Sequence, residues 1–150
     1  MPGYQSPGAS PDASGWPRAA DLLSEARGYW IATTRPDGRP HVMPVWGVFV
    51  HDQVWFSTSR TSRKGRNLAS NPHVAVHLDN TDDVVVIEGT VEEVPAGDGQ
   101  FPDYVSAYKA KYEIVPGPSS ERDVVYRVRP HLAFTWKESD FADRATRWTF

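Results

Sequence analysis

Cysteine is absent from the 150 residues, so the chain has no disulfide framework and no thiolate metal ligand, and it neither needs nor excludes an oxidising compartment. No apolar run approaches the roughly 18 residues of a membrane span, and the first residues carry neither a charged n-region nor an apolar h-region. The expected setting is the cytoplasm, with no membrane partner. An excess of positive charge is missing too: a formal net charge of -3 argues against a general nucleic-acid binder, whose affinity for phosphate backbones needs many cations on one face. No Gly-x-Ser-x-Gly, no Ser-x-x-Lys in a convincing context and no Gly-x-Gly-x-x-Gly between a strand and a helix occurs, which leaves hydrolysis and dinucleotide binding without support.

What is present is organised around VWFSTSRTSRKGRNLASNP, residues 54 to 72. A short apolar strand (Val54, Trp55, Phe56) runs into the hydroxyls of Ser57, Thr58 and Ser59, and a helix starts at Thr61 or Ser62. Four cations, Arg60, Arg63, Lys64 and Arg66, fall within seven residues. A hydroxyl-rich strand end feeding a helix N-terminus gathers free backbone N–H groups, side-chain donors and positive charge at one point, the requirements of a phosphate. The plainer reading is a Ser-capped surface helix with solvated cations.

At 16.8 kDa the chain fits one domain, able to bury roughly 70% of its unfolded surface. Residues 1–15 hold three prolines, three glycines and three serines and read as a disordered arm, leaving 16–150 as the folded domain. Ala20, Leu22, Leu23 and Ala26 share one side of a helix that Pro17 begins and Gly28 ends. The period then falls to two. Runs at 29–34 and 41–50 flank Pro36-Asp37-Gly38 and pair as a hairpin, and His51-Asp52-Gln53 turns into the Val54 strand, so three strands precede the basic helix. That helix stops at Asn71 because Pro72 disfavours helical geometry before it. Strands at 73–78 and 84–94 follow, the second with Gly89 as a bulge or close approach. A helix at 101–112 places Val105, Tyr108 and Tyr112 on one side and is broken by Pro116-Gly117-Pro118. A last strand at 124–136 needs an edge or bulge at Pro130. Six or seven short antiparallel strands with two or three helices suggest a barrel-like sheet, since closure removes exposed edges.

Five histidines raise the question of a metal. His73 and His77 are four apart on a predicted strand, a span of roughly 13 Å, too far to share an ion. His41, His51 and His131 read as donors at the sheet rim. Asp79, Asp82 and Asp83 lack the alternation of a calcium loop and read as a solvated turn. Glu92 and Glu93 point to opposite faces of a strand, wrong for paired acid and base work.

IATTRPDGRP at 31–40, STSRTSRKGRNL at 57–68, NPHVAV at 71–76 and IEGTVE at 87–92, in that order, resemble the pyridoxamine 5'-phosphate oxidase-like family of flavin- and deazaflavin-binding split β-barrels. The resemblance runs through most of residues 22–148 and implies a mainly β, antiparallel split barrel with flanking helices. Ser62, Arg63 and Lys64 match the family's Ser-Arg-Lys, which binds the flavin phosphate, and Ser57 with Thr58 match the strand end before it. Met43, Pro44, Val45 and Trp46 fall where the family lays main chain along the isoalloxazine ring, with Pro44 and Trp46 as walls. Trp136 and Arg147 resemble a pair that reaches the cofactor across a dimer interface.

Two departures bear on the substrate. The chain ends RATRWTF where vitamin-processing members carry an Arg-Leu-His-Asp-Arg type of motif, and Val84 stands where they place a glutamine near the ring. The resemblance therefore implies a member other than a genuine pyridoxamine phosphate oxidase, closer to users of the deazaflavin F420. It implies a homodimeric oxidoreductase with F420 or FMN between subunits, passing hydride to or from a small substrate, with proton delivery from solvent, His41 or Tyr108. The alternatives are a protein that stores or senses a flavin or other planar ligand without turnover, and a structural dimer with no cofactor.

Overall fold

The computed structural model describes residues 15–116 and 121–150. The elements are α1 (Gly15–Glu25), β1 (Tyr29–Thr34), β2 (Pro40–Val45), β3 (Gly47–Val50), β4 (Gln53–Ser59), α2 (Arg63–Ser70), β5 (His73–His77), β6 (Asp83–Glu93), α3 (Phe101–Tyr112), β7 (Asp123–Lys137), a 3-10 turn (Glu138–Asp140), α4 (Phe141–Arg144) and β8 (Thr146–Thr149). The expected arm at 1–15 lies outside the described residues except for Gly15, where α1 begins, and residues 117 and 118 of the expected helix break lie outside them as well.

The Pro36-Asp37-Gly38 hairpin forms as read, with Tyr29 opposite Val45 and Thr34 opposite Pro40. The second run does not stay whole. It divides at Trp46 into β2 and β3, so four strands rather than three precede α2. The sheet order β2-β1-β5-β6-β7-β4-β3 places these sequence neighbours at its two ends. One residue joins the ends, so the sheet curls until its edges meet at Trp46. The result is an antiparallel barrel, split along that seam. An eighth strand, β8, pairs with β7 and not β7 but β8 is last in the chain.

Alternation along each strand divides the interior. Tyr29, Ile31, Val54, Phe56, Val76, Ile87 and Val128 fill the barrel, with Leu23 of α1 closing one end. Trp55, between Val54 and Phe56, points the other way and packs with Val48, Val125, Tyr104 and Tyr112 under α3. Each fully buried side chain of this size contributes about 1.5–3 kcal/mol. On α3 the inward ladder is Tyr104, Tyr108 and Tyr112, with Tyr104 as the buried member beyond the three residues expected there. The helix ends at Glu113, whose φ of 60° is left-handed.

The expectations at Gly89 and Pro130 resolve into one feature. Glu88 pairs with Leu132 and Gly89 with Pro130, so His131 is the extra residue, on β7 rather than β6. A Cβ on Gly89 would lie 2.1 Å from the Arg129 carbonyl oxygen, so this crossing requires glycine. Asp79 and Asp82 of the acidic turn are exposed as read, but Asp83 opens β6 and pairs with Arg18, while Asn80 Oδ1 accepts from the amides of Asp82 and Asp83. Among the described residues no cluster of His, Asp or Glu could hold a metal, and no helix is long and apolar enough to cross a membrane.

Candidate functional site

The helix cap forms at the second of the two expected positions. Ser62 is extended (φ -65°, ψ 160°), and its Oγ accepts from Gly65 N at 2.9 Å. The same hydroxyl donates to Ser59 O at 2.8 Å, so Thr58, 3.0 Å away, must donate into it. Ser62 is thereby fully used as a cap, and the amides of Arg63 and Lys64 are the first-turn donors it leaves open. Gly65 lets this turn sit against the end of β4, because a Cβ there would lie 2.2 Å from Ser59 O. At the far end, Asn71 caps as expected, its N–H bonding Asn67 O.

Of the four cations in the basic stretch, Arg60 is engaged elsewhere, held to Glu93 by two hydrogen bonds of 2.6 and 2.7 Å. Arg63 and Lys64 make no hydrogen bond or ion pair among the described residues. Lys64 is only 8% exposed, and burial pushes its ammonium below the ordinary lysine range. Two residues that the sequence reading did not place in the anion site join them. Arg35, from the β1–β2 loop, and His41, on β2, meet Arg63 and Lys64 closely enough that desolvation and these three cations hold His41 below its usual value. Arg35 Nε and His41 Nδ1 are buried with no partner. The nearby carboxylate, Asp37, is taken by Arg39 at 2.9 Å. Three cations and an imidazole thus converge beside the α2 N-terminus with donors to spare, which suits an anion with several acceptor oxygens.

Thr58 shares this site through Ser62, but Ser57 does not. Neighbouring residues on a strand face opposite ways, and Ser57 follows Trp55 to the α3 side, where it lines a separate cavity of about 440 Å³ with Phe101, Tyr104 and Val125.

From the cationic end, β2 runs along the seam. His41, Met43 and Val45 pair with Thr33, Ile31 and Tyr29, residues that face the barrel, yet Met43 remains 48% exposed because none of the described residues covers the seam. Pro44, Val45 and Trp46 line a groove of about 600 Å³ with Arg27, Trp30 and Leu78. Trp46, 47% exposed, stacks flat on Tyr112 at 4.7 Å, and Arg27 lies over both rings. Lys111 behind them donates to Gly47 O at 2.8 Å, its pKa lowered to about 8 by burial and by Arg27. Phosphate-binding donors at one end and a half-exposed apolar strip at the other fit a cofactor with a planar ring and an anionic tail.

The chain does not bring Trp136 and Arg147 to this place. The row Trp30–His77–Val86–Phe134 crosses the sheet at the end away from Thr33, Arg147 pairs with Phe134, and Trp136 lies two positions further out. Trp136 Nε1 donates to Glu138 at 3.3 Å, and Arg147 is exposed. Of the two candidate proton donors, His41 is in the cluster, whereas Tyr108 sits between Tyr104 and Tyr112 on α3, its pKa raised by burial.

Comparison with known proteins agrees with this architecture. A family model described as pyridoxamine 5'-phosphate oxidase matches residues 16–137. A pyridoxine/pyridoxamine 5'-phosphate oxidase of Gluconobacter oxydans is 42% identical over 71 residues, 45% of this chain and 36% of that protein. The chain spans between 35% and 52% of the length of the curated relatives it matches. Among solved structures, one titled F420 reductase is 28% identical with a TM-score of 0.60, covering 75% of this chain and 93% of its own. The heme storage protein HutZ of Vibrio cholerae shares the fold at 18% identity and a TM-score of 0.65, covering 77% of this chain and 89% of its own.

Proposed function

Because this chain belongs to the pyridoxamine 5'-phosphate oxidase family, we propose that it is an oxidoreductase that holds F420 or FMN by its phosphate and passes hydride to or from a small substrate. The observation that carries the reading is the convergence of Arg35, Arg63, Lys64 and His41 beside the α2 N-terminus, with Arg35 Nε and His41 Nδ1 buried and unpartnered among the described residues. Similarity to a protein titled F420 reductase supports the deazaflavin alternative. The cofactor, when bound, supplies the redox chemistry. The protein's part is to anchor the phosphate with Arg35, Arg63 and Lys64, to lay the ring against Met43, Pro44, Val45 and Trp46, and to exclude water there.

The protein acts as a homodimer in this reading. Trp136 and Arg147 lie on β7 and β8, which do not neighbour β2 in the sheet, so in this reading a second copy brings them to the ring, and the exposed seam at Met43 and Trp46 is the surface it would cover. In this reading the substrate differs from pyridoxamine phosphate, because Thr146-Arg147-Trp148-Thr149 in β8 departs from the Arg-Leu-His-Asp-Arg type of motif.

A second reading, storage or sensing of a planar ligand without turnover, is favoured by the position of Tyr108 on the α3 ladder, which leaves His41 as the one of the two candidate proton donors in the cationic cluster. Reoxidation of the bound, reduced cofactor on adding quinones or enones separates the two. Acceleration by an acceptor supports the oxidoreductase, and indifference to every acceptor supports the binder.

A further inference from the structure

We propose that His41 is the proton-accepting member of the anion site: when a phosphate group lies between Arg35, Arg63 and Lys64, His41 hydrogen-bonds to it and takes up one proton from solvent. The inference rests on the reading of the site as a phosphate cradle and adds what the site does with protons.

The groups that face His41 come from every element around it. Arg35 reaches it from the β1–β2 loop, and Arg63 and Lys64 from the first turn of α2. Across the β1–β2 ladder its partner is Thr33, which is neutral. The neighbouring carboxylate, Asp37, is occupied by Arg39 and is drawn further toward Arg35 and Arg63. In the free protein His41 therefore meets positive charge and a desolvated position, with Nδ1 buried and unpartnered. Both conditions favour the neutral ring.

A phosphate anion, doubly charged as the monoester of FMN and singly charged as the diester of F420, offsets that surrounding positive field. An opposite charge within about 4–6 Å moves a titration midpoint by about one to three pH units. Starting below the ordinary histidine value, the His41 midpoint then rises when the anion binds. Burial also lowers the pKa of Lys64, which faces the same point from the first turn of α2. The linkage has a definite sign. Between the free and bound midpoints, binding consumes a proton, so affinity falls as pH rises, by at most tenfold per pH unit for one proton. A monoester's own second ionisation, near pH 6, pulls the other way, so the effect is isolated at pH 7 and above.

The test is calorimetric titration of the full-length protein with FMN and with F420 at pH 7, each in two buffers of different ionisation enthalpy, with riboflavin as the arm that lacks phosphate. Whichever phosphate-bearing ligand binds is expected to bring about 0.3–1 proton with it, and riboflavin none. Binding is expected to weaken three- to tenfold from pH 7 to 8.5. His41→Gln should lose both the uptake and the slope of affinity with pH, whatever its affinity. The His41 ring signals in the proton NMR spectrum give a second readout on the unmodified protein, with a midpoint that rises when the ligand is added. Binding without proton uptake, an unmoved ring midpoint, or uptake that survives in His41→Gln overturns the inference while the cofactor reading stands. Failure of both FMN and F420 to bind overturns the two together.

Discussion

The molecule holds two lysines with depressed pKa values, and they are used in opposite ways. Lys111 sits at the β2–β3 corner, donating to Gly47 O at 2.8 Å with the rings of Tyr29 and Tyr112 beneath its ammonium. Lys64 is more deeply buried, at 8% exposure, and has no acceptor among the described residues. Burial lowers both. A buried cation costs several kcal/mol unless something compensates it. At Lys111 the fold compensates; at Lys64 it does not, and the same is true of the buried Arg35 Nε of the same cluster. The arginines repeat the contrast, with Arg60 spent on Glu93 and Arg63 left open. Unpaired buried charge tolerated at one point, where Lys111 and Arg60 find partners at others, marks that point as a place where a ligand completes the structure.

The contrast can be broken most forcefully at Lys64. Lys64→Ala should weaken cofactor binding by about 1.5–3 kcal/mol, the scale of hydrogen bonds to charged groups. Its thermal stability should hold or rise, because an uncompensated buried charge is removed. A fall in melting temperature with unchanged affinity would show that Lys64 serves the fold as Lys111 does. At the other corner, Tyr112→Phe should behave inversely. Tyr112 OH accepts from Gly47 N at 2.9 Å, and its loss leaves a buried donor unpaired at a cost of about 1–3 kcal/mol in denaturant titration. Cofactor affinity should change far less.

The pH dependence of stability sharpens the comparison. Lys111 titrates at about 8 when folded against 10.5 unfolded, so between these values the unfolded chain binds the extra proton and stability rises with pH. The parent should therefore gain melting temperature relative to Lys111→Met from pH 8 to about 10. Above that, Tyr29 and Tyr104, whose pKa values burial raises, favour the opposite trend, because the unfolded tyrosines ionise first. An identical profile in Lys111→Met would contradict the assignment. The smallest effect belongs to Arg60→Ala. Both partners of its ion pair are about half exposed, so stability should fall by less than about 1 kcal/mol and cofactor affinity should stay within twofold.

Local chemistry made part of this legible from the chain alone. Pro36-Asp37-Gly38 carries its own turn geometry, and Ser62 and Pro72 bound α2 by capping and by steric exclusion, so these features stand where the residues place them. The division at Trp46 was not legible, because the apolar residues run on from β2 into β3 and only barrel closure distinguishes the two strands. Four-residue β8 has no signal of its own apart from the β7 edge it pairs with. At the site, the hydroxyl cluster and Lys64 were visible in one stretch, but Arg35 reaches them through the hairpin and Glu93 takes Arg60 from 33 positions away. Ser57 was the correctable case: strict alternation from Phe56 and Thr58 sends it to the other face.

The reading of the cationic end as a phosphate cradle is tested most directly by titrating the protein and Lys64→Ala with FMN, F420 and riboflavin at moderate and high salt. Binding of FMN or F420, weakened by salt and by Lys64→Ala, with riboflavin much weaker than FMN, is the predicted result. Failure of both phosphate-bearing ligands, or equal affinity in the parent and Lys64→Ala, would contradict it.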